Sequence, residues 1–225
     1  MTVTAKICGI NSAAALDAAV GGGAAMVGFV FFPRSPRYVT LAQAAELAAR
    51  APSPVKRVAV LVDPTDAQLD ELLAAVPIEV LQLHGNETPE RVASIARRTK
   101  RVAMKAIAVE TAADLDAARA FEPVAEWLLF DAKPPKSLAS ALPGGNAIAF
   151  DWTLLRGRIV SRPWVLSGGL TPENVAGAIA ASGAAVVDVS SGVEDRPGMK
   201  SPARIRAFLA AVQSAGAPAA RKAHA

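Results

Sequence analysis

The sequence predicts one α/β domain folded as a (β/α)8 TIM barrel, and three observations support this fold. The chain has 225 residues, a length at which α/β barrels form a single core. Of these residues, 52% are hydrophobic and 20% are charged, which suits a filled core and excludes intrinsic disorder. Short apolar runs alternate eight times with helix-like stretches. Eight alternations at this spacing favour a closed barrel over the alternative, an open doubly wound sheet.

The eight strand candidates are short, apolar and rich in β-branched residues. Most are apolar along their whole length, as expected of parallel strands that are buried on both faces. Each is bounded by Gly, Pro, Asp or a polar cluster. They are residues 3–7, 26–31, 57–62, 79–83, 101–107, 126–130, 164–166 and 185–189.

The helix candidates mostly begin after a Ser, Thr, Asn or Asp, whose side-chain oxygen can accept hydrogen bonds from the first turn. Thr88 and Thr171 are each followed by Pro and Glu, residues that also favour a helix start. The helix candidates are residues 13–20, 41–50, 67–75, 91–98, 112–120, 151–155, 174–181 and 202–212. We therefore expect a barrel domain over residues 1–213 and an Ala/Pro-rich tail over 214–225.

Composition argues against several classes of protein. The net charge is only +4, and no basic run interleaved with aromatic residues suggests a nucleic-acid surface. The most apolar stretch, residues 18–32, is too short for a membrane span, and Lys6 and Asp17 interrupt any signal peptide. One cysteine and two histidines make no credible metal site. The single cysteine indicates a reducing cytoplasm.

In a barrel of this kind the chemistry lies at the carboxyl ends of the strands. Cys8 ends strand one, and Lys6 shares its face, so a neighbouring ammonium is expected to lower the thiol pKa. A lone cysteine can equally be a small buried hydrophobe. Asp131 ends strand six, on the opposite side of the mouth, where a thiol and a carboxyl could act as base and acid. Asp131 could also be a turn or cap residue, although a long loop rather than a helix follows it.

Glycine-rich turns predict an anion site, because exposed backbone N–H groups bind phosphate and barrels often do so after strands seven and eight. Each of these turns could also be a plain turn. The candidate phosphate-binding residues are Gly145, Gly168, Gly169, Ser190, Ser191 and Gly192.

Three further side chains are candidates for binding a substrate. Arg37 follows a loop stiffened by two prolines and could bind a carboxylate, or could be a solvated surface charge. His84 ends strand four and could donate a hydrogen bond at the mouth. Asp188 faces inward near the end of strand eight and could accept one from a sugar hydroxyl.

Seven segments together carry a family resemblance: Lys6-Ile7-Cys8-Gly9, Gly28-Phe29-Val30-Phe31 with Ser35-Pro36-Arg37, Leu81-Gln82-Leu83-His84-Gly85, Asp131, Phe150-Asp151-Trp152, Leu166-Ser167-Gly168-Gly169-Leu170 and Asp188-Val189-Ser190-Ser191-Gly192-Val193-Glu194. In this order they resemble the phosphoribosylanthranilate isomerases of tryptophan biosynthesis over residues 3 to about 212. Two positions depart from the family pattern. Asn11 replaces a frequent threonine, and Ala147 replaces the last glycine of a Gly-Gly-x-Gly motif.

The resemblance implies an aldose–ketose isomerase that carries out an Amadori rearrangement without metal or cofactor. By matching position, Cys8 would be the general base that removes the C2 proton, and Asp131 the general acid that protonates the furanose oxygen. Arg37 would hold the anthranilate carboxylate, and the glycine turns the phosphate. Lys6, His84 and Asp188 would complete the substrate site.

Two other interpretations remain open at this point. A related phosphosugar isomerase of histidine biosynthesis, or a dual-substrate barrel, would have an aspartate where Cys8 stands. A non-catalytic phosphosugar-binding barrel would be expected to lack Cys8 or Asp131. In each case we expect a monomer or homodimer that binds a small phosphosugar. We expect it to bind neither nucleic acid nor a membrane.

Overall fold

The computed structural model, which describes residues 2–134, 144, 149–158 and 160–216, is a closed barrel of eight parallel strands. Each strand pairs with the next in the chain, and the eighth pairs with the first, so the predicted fold is confirmed. The strands are β1 (Thr4–Cys8), β2 (Met26–Val30), β3 (Lys56–Leu61), β4 (Val80–Leu83), β5 (Val102–Val109), β6 (Trp127–Ala132), β7 (Trp164–Leu166) and β8 (Val186–Val189).

Helices surround the barrel and follow the predicted order. Thr40 and Thr65 each form a capping box with a glutamine three residues later, which explains two of the predicted helix starts. The helices are α1 (Ala13–Gly21), α2 (Leu41–Arg50), α3 (Asp66–Ala75), α4 (Pro89–Thr99), α5 (Ala112–Ala117), α6 (Val175–Ser182) and α7 (Pro202–Gly216). None of the helices in the described ranges is long and apolar enough to cross a membrane.

Several elements differ from the sequence predictions. The fifth unit keeps only a short α-helix and continues as a 3-10 helix over Ala118–Phe121, and the sixth unit has a 3-10 helix over Trp152–Leu155. A two-stranded hairpin, β9 (Glu194–Arg196) and β10 (Met199–Lys200), follows β8 and was not predicted. The last helix continues to Gly216, three residues past the expected domain end, and residues 217–225 lie outside the described chain.

Inward-facing positions change from apolar to polar along the barrel axis. The lower part of the interior is a buried apolar cluster that includes Met26, Val58 and Val80. Above it, toward the carboxyl ends of the strands, Lys6 and Gln82 are buried at inward positions of β1 and β4. The apolar layer fills the lower end of the barrel, and the polar side chains lie at the upper end.

Candidate active site

A pocket opens at the carboxyl ends of the strands, and most of the predicted site residues line it. Among them are five chemically active side chains from separate strands and loops: Cys8, Arg37, His84, Asp131 and Asp188. The loop residues Gly168, Gly169, Ser190 and Ser191 line it as well. Lys6 and Gly192 lie behind the surface of the pocket, and Gly145 falls outside the described residues. The barrel therefore gathers at one mouth groups that are up to about 180 residues apart in sequence.

Cys8 is the last residue of β1 and points into the pocket with only 7% of its surface exposed. It packs in one apolar cluster with Val30 of β2 and Val60 of β3. Burial raises the pKa of the Cys8 thiol and outweighs Lys6, whose ammonium acts to lower it. The predicted direction of the ammonium's effect is therefore confirmed, but the thiol pKa rises overall in the chain without a ligand, because the apolar wall disfavours a thiolate more than one ammonium stabilises it.

Lys6 is fully buried and acts on the pocket through Asp188 and Cys8. Its Nζ donates to Oδ1 of Asp188 at 2.9 Å, and the Ser167 hydroxyl donates to Oδ2 at 3.2 Å. Burial alone would lower the pKa of Lys6, but the charges of Asp188 and Cys8 reverse this and raise it. Gly28 makes room for the cluster, since a Cβ there would lie 3.2 Å from Nζ of Lys6 and 3.3 Å from Sγ of Cys8. Lys6 thus supports Asp188 and Cys8 from below.

Buried Asp131 and partly buried His84 form a close pair on the other side of the mouth. Nε2 of His84 lies 3.3 Å from Oδ2 of Asp131, while Oδ1 of Asp131 accepts from the backbone N–H of Ala132 at 2.9 Å. Gly144 covers the pair so closely that a Cβ there would lie 2.6 Å from the His84 ring. Behind the ring, Nδ1 of His84 lies 3.1 Å from Nε2 of Gln82, which was not among the predicted site residues. The sequence signal that could have identified Gln82 was a polar residue at an inward position of an otherwise apolar strand.

Arg37 lies at the mouth and is held by Glu194, which in turn binds Lys200; neither hairpin residue was predicted as a site residue. Nε and Nη2 of Arg37 donate to the two carboxylate oxygens of Glu194 at 2.8 and 2.9 Å. Nζ of Lys200 donates to the same carboxylate at 2.7 Å and to the backbone oxygen of Ser190 at 2.8 Å. Burial tends to raise the pKa of Glu194, but these two cations lower it overall. The solvated-surface alternative for Arg37 was wrong, because only 5% of the residue is exposed.

The turns after β7 and β8 pack backbone against backbone. A Cβ on Gly192 would lie 1.9 Å from the carbonyl oxygen of Leu170, and one on Gly168 would lie 2.7 Å from the backbone nitrogen of Ala132. Gly168 and Gly169 have positive φ angles of 90° and 65°, which favour glycine. Neither of their N–H groups donates to an acceptor within the described part of the chain. This geometry presents backbone donors to the pocket and suits an anion.

Residues 2–134, 144, 149–158 and 160–216 contain no group of three or more His, Cys, Asp or Glu side chains arranged to hold a metal ion. The ionisable groups that line the pocket in these ranges are one thiol, two carboxyls, one imidazole and one guanidinium. These are groups for moving protons and for binding an anionic ligand.

Comparison with known proteins gives a consistent result. The family model for N-(5'-phosphoribosyl)anthranilate isomerase matches residues 5–211. The chain is 57% identical to the N-(5'-phosphoribosyl)anthranilate isomerase of Paracoccus denitrificans over 210 residues, covering 93% of this chain and 97% of that protein. For the enzyme of Rhodospirillum centenum the identity is 56%, with coverage of 93% and 98%.

Solved structures agree with the sequence relatives. The phosphoribosyl anthranilate isomerase of Thermotoga maritima superposes with a TM-score of 0.83 at 36% identity, covering 94% of this chain and 99% of that one. A structure of such an isomerase in complex with reduced 1-(o-carboxyphenylamino)-1-deoxyribulose 5-phosphate superposes with a TM-score of 0.80 at 34% identity, with the same coverage.

Proposed function

The chain belongs to the N-(5'-phosphoribosyl)anthranilate isomerase family, and we infer that it catalyses the Amadori rearrangement of tryptophan biosynthesis. In this reaction N-(5-phosphoribosyl)anthranilate becomes 1-(2-carboxyphenylamino)-1-deoxyribulose 5-phosphate. The observation that carries the proposal is the pairing, across one pocket, of a thiol at the end of β1 with a carboxyl at the end of β6. An Amadori rearrangement needs one group to take a proton and another to give one.

We place the substrate by its two anionic ends. The phosphate would lie against the turns after β7 and β8, where Gly168 and Gly169 offer N–H groups. The ammonium of Lys200, which donates to the backbone oxygen of Ser190, adds a positive charge beside the second turn. The anthranilate carboxylate would meet Arg37, whose guanidinium Glu194 holds in a fixed plane. The ribose would then lie between Cys8 and Asp131, with Asp188 able to accept from one of its hydroxyls.

The proton transfers balance with these two groups. Asp131 gives its proton to the furanose oxygen, the C1–O bond breaks, and the nitrogen lone pair forms a cationic Schiff base at C1. The Cys8 thiolate then removes the proton from C2, and the electrons of that C–H bond neutralise the Schiff base to give an enolamine. Tautomerisation of the enolamine yields the aminoketone. No electron acceptor is needed, because C1 is reduced as C2 is oxidised.

The high pKa of the Cys8 thiol is compatible with this role. A thiolate that forms rarely is also a stronger base, and the cationic Schiff base stabilises it when it is needed. Lys6 supplies a permanent positive charge below the thiol, which limits the rise of its pKa. We propose that the enzyme acts without a cofactor, as a monomer or homodimer in the cytoplasm.

The experiment is to follow the loss of phosphoribosylanthranilate fluorescence with the purified chain. We expect turnover by the wild-type chain and a loss of roughly 10²- to 10⁴-fold in kcat for Cys8→Ala and for Asp131→Ala. Asp17→Ala, which breaks an exposed ion pair with Arg50 on the outer helices, is the matched control and should keep full activity. Absence of turnover by the folded wild-type chain would contradict the proposed function.

A further inference from the structure

Gln82 has a buried amide for which the reaction, as described so far, has no use. The residue lies at an inward position of β4 with only 1% of its surface exposed. Its Nε2 lies 3.1 Å from Nδ1 of His84. Its Oε1 is buried and has no hydrogen-bond partner in the described part of the chain. A buried carbonyl without a partner is costly, so its presence calls for an explanation.

The orientation of the Gln82 amide sets the tautomer of the His84 ring. With the amide nitrogen toward the ring, as in the structure, Nδ1 of His84 accepts and the proton of the neutral ring lies on Nε2. That proton faces Oδ2 of Asp131 at 3.3 Å. Gly144 covers the pair, and His84 is only 14% exposed, so solvent has little part in setting this arrangement. The three side chains form a series of two contacts, from the Gln82 amide to the His84 ring and from the ring to the Asp131 carboxyl.

The unpartnered oxygen gains a partner if the ring takes up a second proton. Nδ1 then becomes a donor, and rotation of the Gln82 amide by half a turn would bring Oε1 to face it. In both states Nε2–H still points at Asp131. The other titratable side chains of the same pocket are Cys8, Arg37 and Asp188, and none of them has a hydrogen bond to the His84 ring in the described residues.

We infer that Gln82 is a positioning residue, whose amide keeps an N–H group of His84 directed at Asp131 in either protonation state of the ring. This inference rests on the proposed function, in which Asp131 becomes a carboxylate when it has given up its proton. A donor that is always in place stabilises that carboxylate and fixes its orientation toward the substrate. An amide is suited to the task because it can both donate and accept, which neither a carboxylate nor an apolar side chain can do.

The test uses imidazole-labelled protein, because the chain has only two histidines, His84 and His224. A His224→Gln background leaves one ring, whose nitrogen chemical shifts report its tautomer. We expect the Nε2–H tautomer alone with Gln82 present and a mixture of tautomers in Gln82→Met, which keeps the length of the side chain. Val80→Ala, a change at the adjacent inward position of β4, is the matched control and should leave the Nε2–H tautomer unchanged.

Kinetics give a second readout that a packing role would not move. Gln82→Met should lower kcat by roughly 10- to 100-fold, less than loss of the acid itself, with a smaller change in KM. In Gln82→Glu, which only accepts, the ring should carry a proton on Nδ1, and the neutral ring should then have no Nε2–H to direct at Asp131. The pH dependence of its kcat should therefore differ from that of the wild-type chain.

A pure Nε2–H tautomer in folded Gln82→Met, or a wild-type pH profile in Gln82→Glu, would overturn the inference. The tautomer measurement needs no turnover. It therefore distinguishes failure of this inference from failure of the proposed function, which would appear as a lack of activity in the wild-type chain.

Discussion

The ionisation of Cys8 can be measured directly, because it is the only cysteine in the chain. An unperturbed thiol has a pKa of about 8.5, so about 3% of it is thiolate at pH 7. Burial raises the pKa of Cys8, so the fraction in the chain without a ligand should be smaller still. We expect the rate of alkylation by iodoacetamide to rise by about tenfold for each pH unit from pH 7 to 8.5, without reaching a plateau.

Two substitutions in the buried cluster should shift this rate in opposite directions. The negative charge of Asp188 raises the pKa of Cys8, so Asp188→Asn should speed alkylation at pH 7. The ammonium of Lys6 lowers that pKa, so Lys6→Met should slow it. Lys6→Met also leaves Asp188 buried without its cation, a defect of about 3–5 kcal/mol in the free energy of unfolding. Circular dichroism must therefore show that the variant is folded before its rate is compared.

Lys105→Met is the matched control for that defect. Lys105 is another buried lysine whose Nζ lies 2.7 Å from a carboxylate oxygen of Glu87, so its loss damages the fold in a similar way. It is not among the charges that act on Cys8, and the pH profile of alkylation should stay unchanged. A plateau below pH 8 in the wild-type chain, or a shift of both cluster variants in the same direction, would refute this account of the thiol. Bound product should protect Cys8 from the reagent.

Three further predictions concern the anion sites and stability. Crystals grown in sulfate should show an anion at the turns after β7 and β8, and an anion bound only at the opposite barrel face would contradict the site. Gly192→Ala should raise KM, since the added Cβ would lie 1.9 Å from the Leu170 carbonyl oxygen. Arg37→Ala should cost about 2–4 kcal/mol in kcat/KM, and unchanged kinetics would remove Arg37 from the site. Stability measured by urea unfolding should fall as the pH drops from about 4 to 2. Burial tends to raise the pKa of Asp114, but backbone N–H groups of neighbouring residues and Lys133 hold this pKa at about 2. Protonation of the carboxylate therefore removes the stabilisation that these groups give to the folded state. A stability that does not change between about pH 4 and 2 would contradict this prediction.

Local patterns in the sequence were sufficient for the barrel and for most of the residues at its mouth. Eight apolar runs and their helix caps identified the alternation, since strand burial and helix capping depend on residues close in sequence. The position of Cys8 and Asp131 at strand ends followed from the same pattern, because parallel strands in a barrel end at one face. The shortening of the fifth helix was not predicted, since propensity alone does not show where tertiary packing shortens a helix.

The partners of the site residues could not be derived from the sequence. Nothing local indicates that Glu194 holds Arg37, 157 residues away, or that Lys6 binds Asp188, 182 residues away. The direction of the Cys8 pKa depended on the balance between an apolar wall and one ammonium, and the sequence showed the ammonium but not the depth of burial.

The sequence by itself determined most of the chemical groups that meet at the mouth, because strand order and side-chain alternation follow from the chain alone. The tertiary structure decided how those groups are charged and oriented. Charge and orientation depend on desolvation and on hydrogen bonds between strands that are distant in sequence, and these exist only once the barrel has closed.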